Sequence, residues 1–155
     1  MKNEIEKKFL VQGSMYKEQA VKVHKIKQGY ISETKRSISR VRISDNEAYL
    51  TIKENKKQIS KLEFEYSIPI EEGLYLLENL CNNVTITKTR YIVKFGGFVW
   101  EVDEFDGENK GLVVAEIELD HETQKFGKPS WVGDEVTSDE RYYNINLMMN
   151  PFKKW

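Results

Sequence analysis

Six same-sign pairs of ionisable residues, each spaced by two positions, carry the chemical interest of this chain. They are Glu4 and Glu6 (with Lys8 in phase), Arg40 and Arg42, Glu63 and Glu65, Lys88 and Arg90, Glu101 and Asp103, and Glu116 and Glu118. Lys53 stands in phase with Thr51. Residues i and i+2 of a strand point to one side, so each pair would share a face. Like charges at that spacing repel, and a fold tolerates them where opposite charge, metal or ligand faces them. Carboxylate pairs offer the oxygen ligands that divalent cations take. Arg and Lys pairs grip polyanions through charge-assisted hydrogen bonds. Brought together, the two sets would suit metal-assisted phosphoryl transfer.

The elements that must position these pairs are mostly strands. The opposite parity is apolar: Ile5 and Phe9, Val41 and Ile43, Leu50 and Ile52, then Phe64, Tyr91, Val102, Ala115, Ile117 and Leu119. Period-two alternation predicts strands near 2–11, 22–31, 37–44, 47–54, 60–68, 86–95, 98–105 and 112–119. Asp45-Asn46 and Gly96-Gly97 suit tight hairpin turns. Helices are expected over 71–82 (Leu74, Leu77, Leu80 on one face), briefly near 120–127, and over 138–149 behind a Ser138-Asp139-Glu140 start. The result is a mainly β, α+β chain, read as an antiparallel barrel or sandwich with a few surface helices. A charged strand face turned to water accounts for any single pair; Lys25 and Lys27 are read that way, and Lys56 and Lys57 as a solvated hairpin tip. Same-sign pairs on six of eight strands argue for a shared interior.

Length and composition narrow the class. The 155 residues suit one domain, 1–155. The 24 basic and 25 acidic residues nearly cancel, so a nucleic-acid partner held by a general positive field is not expected. Charged residues make up 32% of the chain, above the roughly 25% of an average domain, so their placement matters more than their sum. The lone Cys81 excludes an internal disulfide and a cysteine zinc cluster, and reads as a small buried hydrophobe. No apolar leader core or membrane-length run occurs, so no membrane partner and a cytoplasmic location are expected. His24 and His121 lack metal-ligand spacing and read as structural; Trp100 and Trp131 read as core, Trp155 as a terminal anchor. No Gly-rich phosphate loop or G-x-S-x-G elbow is present.

Glu4-Ile5-Glu6-Lys7-Lys8 resembles the E-x-E-x-K signature of the CYTH superfamily, the triphosphate tunnel metalloenzymes. Further blocks resemble that family in order: Gln28-Gly29-Tyr30, Arg40-Val41-Arg42, Leu50-Thr51-Ile52-Lys53, Glu63-Phe64-Glu65, Lys88-Thr89-Arg90-Tyr91, Glu101-Val102-Asp103, Ala115-Glu116-Ile117-Glu118, Glu135-Val136-Thr137 and Arg141-Tyr142-Tyr143-Asn144. The resemblance implies an eight-stranded closed antiparallel barrel, the triphosphate tunnel, with an ionic interior. It implies triphosphate binding by Lys8, Arg40, Arg42, Lys53, Lys88, Arg90 and Arg141. Metal or its water shell would be bound by Glu4, Glu6, Asp103, Glu116 and Glu118, with Glu63 and Glu65 as a further acidic pair. Magnesium or manganese and a homodimer are implied as well.

Within that family the compact chain looks like the short bacterial proteins acting on inorganic tripolyphosphate. The His-Phe that precedes the E-x-E-x-K block in class IV adenylyl cyclases is missing, and animal-type thiamine triphosphatases are longer. Cyclase, nucleoside or thiamine triphosphatase, and a non-catalytic polyphosphate-binding module are the alternatives. Tyr30, two residues after Gln28 and so on the same side, and Lys88 are the candidate catalytic pair. A phenol near an ammonium group would orient water or the terminal phosphate; otherwise Tyr30 is a packed aromatic with its hydroxyl satisfied.

Overall fold

The computed structural model describes residues 1–81 and 84–155. Nine strands form among them: β1 (Lys2–Val11), β2 (Lys22–Glu33), β3 (Ser37–Ser44), β4 (Glu47–Glu54), β5 (Ser60–Ile68), β6 (Ile86–Phe95), β7 (Phe98–Phe105), β8 (Val113–Glu118) and β9 (Val132–Glu135). In space they run β5-β4-β3-β2-β6-β7-β8-β1, all antiparallel. The start of β1 then pairs with β5, Lys2 opposite Glu63 and Glu4 opposite Lys61, and this closes an eight-stranded barrel. Beyond that point the same edge of β1 takes β9, Phe9 opposite Glu135. Asp45 (φ 52°), Gly96 (φ 58°) and Gly97 (φ 80°) adopt the positive φ that two-residue hairpins require.

Apolar residues of one parity are covered from outside. Ile5, Phe9, Val93, Trp100, Val102, Ala115 and Ile117 pack with Tyr16 of a short helix, α1 (Met15–Gln19), and with Leu119, Phe126 and Trp131. The Phe9 ring lies 5.6 Å from Trp100 and 6.0 Å from Phe126, in tilted and edge-on contacts. On the other side a second helix, α2 (Ile70–Asn79), sets Leu77 and the following Cys81 against Val41.

A third cluster lies inside. Ile38, Ile86, Phe105 and Val114 share the parity of the ionic residues on their strands, and Tyr30 lies opposite Arg40. They pack against Ile145, Leu147 and Met148 of α3 (Asn144–Met149), with Tyr143 at the edge. The barrel is therefore an ionic chamber whose one end is filled by apolar side chains.

Several expectations need correction. Residues 120–127 make no helix: a turn closes at His121–Gln124, Gln124 bonds back to Asp120, and the chain leads Phe126 into the aromatic core. The segment 138–149 is not one helix. Asp139 caps a 3-10 turn (Glu140–Tyr142), and Tyr143 is extended (φ −72°, ψ 134°) before α3 begins. The expected helix 71–82 starts at Ile70 and ends at Asn79; its expected last residue, 82, lies outside the described residues. Neither α1 nor β9 was expected, because five and four residues are too few to show a period.

The close approach of α2 to the sheet depends on Gly73, where an added Cβ would lie 2.5 Å from Ala48 Cβ and 2.9 Å from Ile43 Cδ1. Ala48 Cβ cannot swing aside, so Gly73→Ala must displace the helix. Overpacking typically costs about 1–3 kcal/mol, offset by about 1 kcal/mol of gained helix propensity. A net loss of up to about 2 kcal/mol in urea denaturation is expected.

Candidate active site

The inward-facing charges meet across the chamber. Lys8 Nζ donates to Glu6 Oε1 at 2.9 Å on its own strand and to Glu116 on β8. Arg90 grips Asp103 with Nε to Oδ1 at 2.7 Å and Nη2 to Oδ2 at 2.8 Å, while Lys88 Nζ reaches the same Oδ2 at 2.5 Å. Arg90 also pairs with Glu101 and lies 3.6 Å from Glu116. One continuous network thus joins β6, β7, β8 and β1. On the opposite wall Arg42 Nη2 donates to both oxygens of Glu65 at 3.2 Å, Thr51 donates to Glu65 at 2.8 Å, and Arg40 donates to Thr51 at 3.2 Å. Lys53 on β4 reaches Glu4 on β1 at 3.4 Å.

Lys8, Arg40, Arg42, Lys53, Lys88, Arg90, Glu4, Glu6, Glu63, Glu65, Asp103 and Glu116 are therefore gathered on one inner surface. Arg141 is not with them. Its side chain is 59% exposed, held by Asp139 at 2.6 Å and stacked 5.0 Å from the Trp155 ring, outside the chamber. Lys61 is the cation that sequence reasoning missed. It lies in phase with Glu63 and Glu65, opposite Glu4, with Nζ 5.1 Å from the Tyr143 ring. The same two-residue spacing that singled out Glu63 would have found it. Glu118 is half-exposed at the rim and bound to Lys2 at 2.5 Å. Both oxygens of Asp103 are taken by Lys88 and Arg90, and Glu65 is taken by Arg42 and Thr51, so these two carboxylates hold cations in place. Tyr30 bonds Gln28, with Gln28 Nε2 donating to the phenol at 3.2 Å, and not Lys88. The cations whose fields reach Tyr30 are Arg40, Lys53 and Lys8.

Burial sets the proton affinities here. It pushes Glu6 up to about 7, reinforced by the negative charges of Glu116 and Glu4 and only partly offset by Lys8. Burial acts on Glu116 in the same sense, yet Lys8 and Arg90 hold it well below the usual carboxylate range. Burial lowers Lys88 to about 8 against the pull of Asp103, and raises the Tyr30 phenol above its ordinary value. Two buried donors, Arg40 Nε and Arg42 Nε, have no acceptor among the described residues.

The acidic residues fit a divalent cation in a specific sense. Among the described residues no three carboxylate or imidazole groups converge as a ready-made cage. A cation would nevertheless relieve the crowding of Glu6 by Glu116 and Glu4. Magnesium-like ions are commonly held by one or two carboxylates together with water and substrate phosphates. Glu4, Glu6, Glu63, Glu116 and Glu118 remain to supply those oxygens.

The CYTH domain family matches residues 2–146. An inorganic triphosphatase of Acetivibrio thermocellus is 52% identical over 155 residues, covering 100% of this chain and 99% of the relative. An inorganic triphosphatase of Nitrosomonas europaea is 32% identical over 151 residues, covering 95% and 97%. The crystal structure of an inorganic triphosphatase superimposes with a TM-score of 0.65 at 31% identity, covering 96% of each chain. Among the described residues no helix is long and apolar enough to cross a membrane.

The Glu6 shift has a defined sign. From its ordinary value of 4.5 to about 7 the folded protein retains a proton that the unfolded chain has released, so this group's contribution falls as pH rises through that window. Glu6→Gln removes the cost. In EDTA the variant is expected to melt above the parent at pH 8, with the gap closing toward pH 5. Equal melting temperatures at pH 8 would show that Glu6 carries no such cost.

Proposed function

This chain belongs to the CYTH domain family, and from that membership we propose that it is a metal-dependent triphosphatase that hydrolyses the terminal phosphate of inorganic tripolyphosphate inside the barrel. The observation that carries this reading is the pair of buried guanidinium nitrogens, Arg40 Nε and Arg42 Nε, without acceptors among the described residues. A buried unsatisfied donor costs about 1–3 kcal/mol, and phosphoryl oxygens are the acceptors that suit a guanidinium best.

Lys8, Lys53, Lys61, Lys88 and Arg90 extend that binding surface, with Asp103 fixing Lys88 and Arg90 in place. Ile38, Ile86, Phe105 and α3 build an apolar end to the chamber. Tyr30 remains protonated at neutral pH, because burial raises it, and acts as a donor. Glu4, Glu6, Glu63, Glu116 and Glu118 would hold magnesium or manganese. A cation held there would supply positive charge against the triphosphate and Lewis-acid activation of water. Charge stabilisation and positioning supply most of the acceleration, as in phosphoryl transfer generally.

A homodimer and a cytoplasmic setting complete the reading. Exposed Ile52 and Tyr66 on the outer face of β4–β5, with Leu74 and Tyr75 on α2, offer an apolar surface for a second copy.

Phosphate release from tripolyphosphate is expected to require magnesium or manganese and to exceed release from ATP, GTP and thiamine triphosphate under the same conditions. Equal or faster turnover of ATP, or its conversion to cyclic AMP, would overturn the substrate assignment. Glu116→Gln is expected to abolish turnover with the fold preserved. Arg42→Ala is expected to weaken binding of an unhydrolysed analogue by about 1.5–3 kcal/mol in calorimetry, the value of a hydrogen bond to a charged group.

A further inference from the structure

Tyr30 is aimed by its own strand. Gln28, two residues earlier on β2, is 1% exposed, and its Nε2 donates to Tyr30 Oη at 3.2 Å. An amide nitrogen only donates, so the phenol oxygen is the acceptor and the phenolic hydrogen points elsewhere. Among the described residues no protein group accepts that hydrogen. Gln28 lies opposite Arg42 on β3.

The backbone between the two residues is pinned from behind. A Cβ on Gly29 would lie 3.0 Å from both Cβ and Sγ of Cys81 and 3.1 Å from Leu77 Cδ2. The strand therefore cannot retreat from the chamber without α2. The register of β2 against β3 shifts between Tyr30 and Ser32, an irregularity of the kind that re-aims a side chain.

We infer that Gln28 is a positioning residue that fixes the Tyr30 hydroxyl as a hydrogen-bond donor to the terminal phosphoryl group of the substrate, a role that rests on the triphosphatase reading above. The bond to Gln28 occupies a lone pair of the phenol oxygen and leaves its hydrogen for the oxygen that gains charge during transfer. Such an interaction strengthens in the transition state, so its loss falls on kcat more than on KM.

The test is a cycle of four proteins: parent, Gln28→Met, Tyr30→Phe and the double variant, assayed for kcat and KM on tripolyphosphate with magnesium. Gln28→Met keeps the volume and removes the donor. It is expected to lower kcat roughly 3–10-fold, the scale of one neutral hydrogen bond, with KM nearly unchanged. In the Tyr30→Phe background it is expected to cost nothing further. Gln28→Glu, which turns the donor into an acceptor and captures the phenolic hydrogen, is expected to lower kcat at least as far. It also serves as the second variant should Gln28→Met melt early. An additive loss in the double variant, a loss confined to KM, or an unchanged kcat in Gln28→Met or Tyr30→Phe would each overturn the inference while leaving an active parent a triphosphatase. A parent that releases no phosphate from tripolyphosphate would overturn the functional reading itself.

Discussion

The constraint on which this structure depends is that a charge fully buried inside the barrel needs a partner of opposite sign. An ionised group taken out of water costs several kcal/mol unless it is paired and hydrogen-bonded. Lys88 and Asp103, each 1% exposed, are affordable only through each other and Arg90. That pairing decides much else. It links β6 to β7, ties both to Glu116 on β8, and through Lys8 reaches β1, the strand whose start closes the barrel on β5. On the far wall Glu65 does the same for Arg40 and Arg42.

Stability and chemistry are divided between the two faces of every strand. The outer parity builds cores of ordinary kind, with Phe9, Trp100 and Trp131 on one side and Val41 under α2 on the other. These contacts bury large apolar area at roughly 25 cal/mol per Å² and leave the inner face free of any packing duty. Toward α3 apolar residues turn inward, where Ile86, Phe105 and Val114 meet that helix. The inner face thus changes from ionic to apolar toward α3.

The sequence was most legible where one rule applied along a whole strand. The alternation of Glu4-Ile5-Glu6 or Lys88-Thr89-Arg90 states both strand and face, and all eight barrel strands fall within two residues of expectation. Barrel closure was not legible in that pattern, since a sandwich shows the same alternation; the family resemblance supplied it, and the β1–β5 pairing realises it. Short elements were illegible for lack of period, as with α1 and β9. Arg141 stands apart for another reason. It belongs to no strand, so no face could be assigned, and Asp139 two residues away captures it. Tyr30 was legible as inward-facing, but its partner was not. The sequence offered Lys88, whereas the fold supplies Gln28, its neighbour on the same face.

The missed Lys61 changes the electrostatic account of the chamber. With it, seven cations (Lys8, Arg40, Arg42, Lys53, Lys61, Lys88, Arg90) face seven carboxylates (Glu4, Glu6, Glu63, Glu65, Glu101, Asp103, Glu116). The chamber is not a positive well waiting for an anion. It is balanced, and a proton retained on Glu6 tilts it only slightly positive. A triphosphate entering alone would meet carboxylates as numerous as the cations that grip it. Two ways of lowering that cost exist in such a site: protonating carboxylates, or bringing divalent cations with the substrate. The first is limited, because Lys8 and Arg90 hold Glu116 ionised far below neutral pH. The second would set positive charge beside Glu4, Glu6 and Glu116, the carboxylates proposed to hold it, and so lower the cost on both sides. Metal dependence on this view follows from charge balance before any chemistry begins: the acidic half of the chamber makes the substrate and its cation a single ligand.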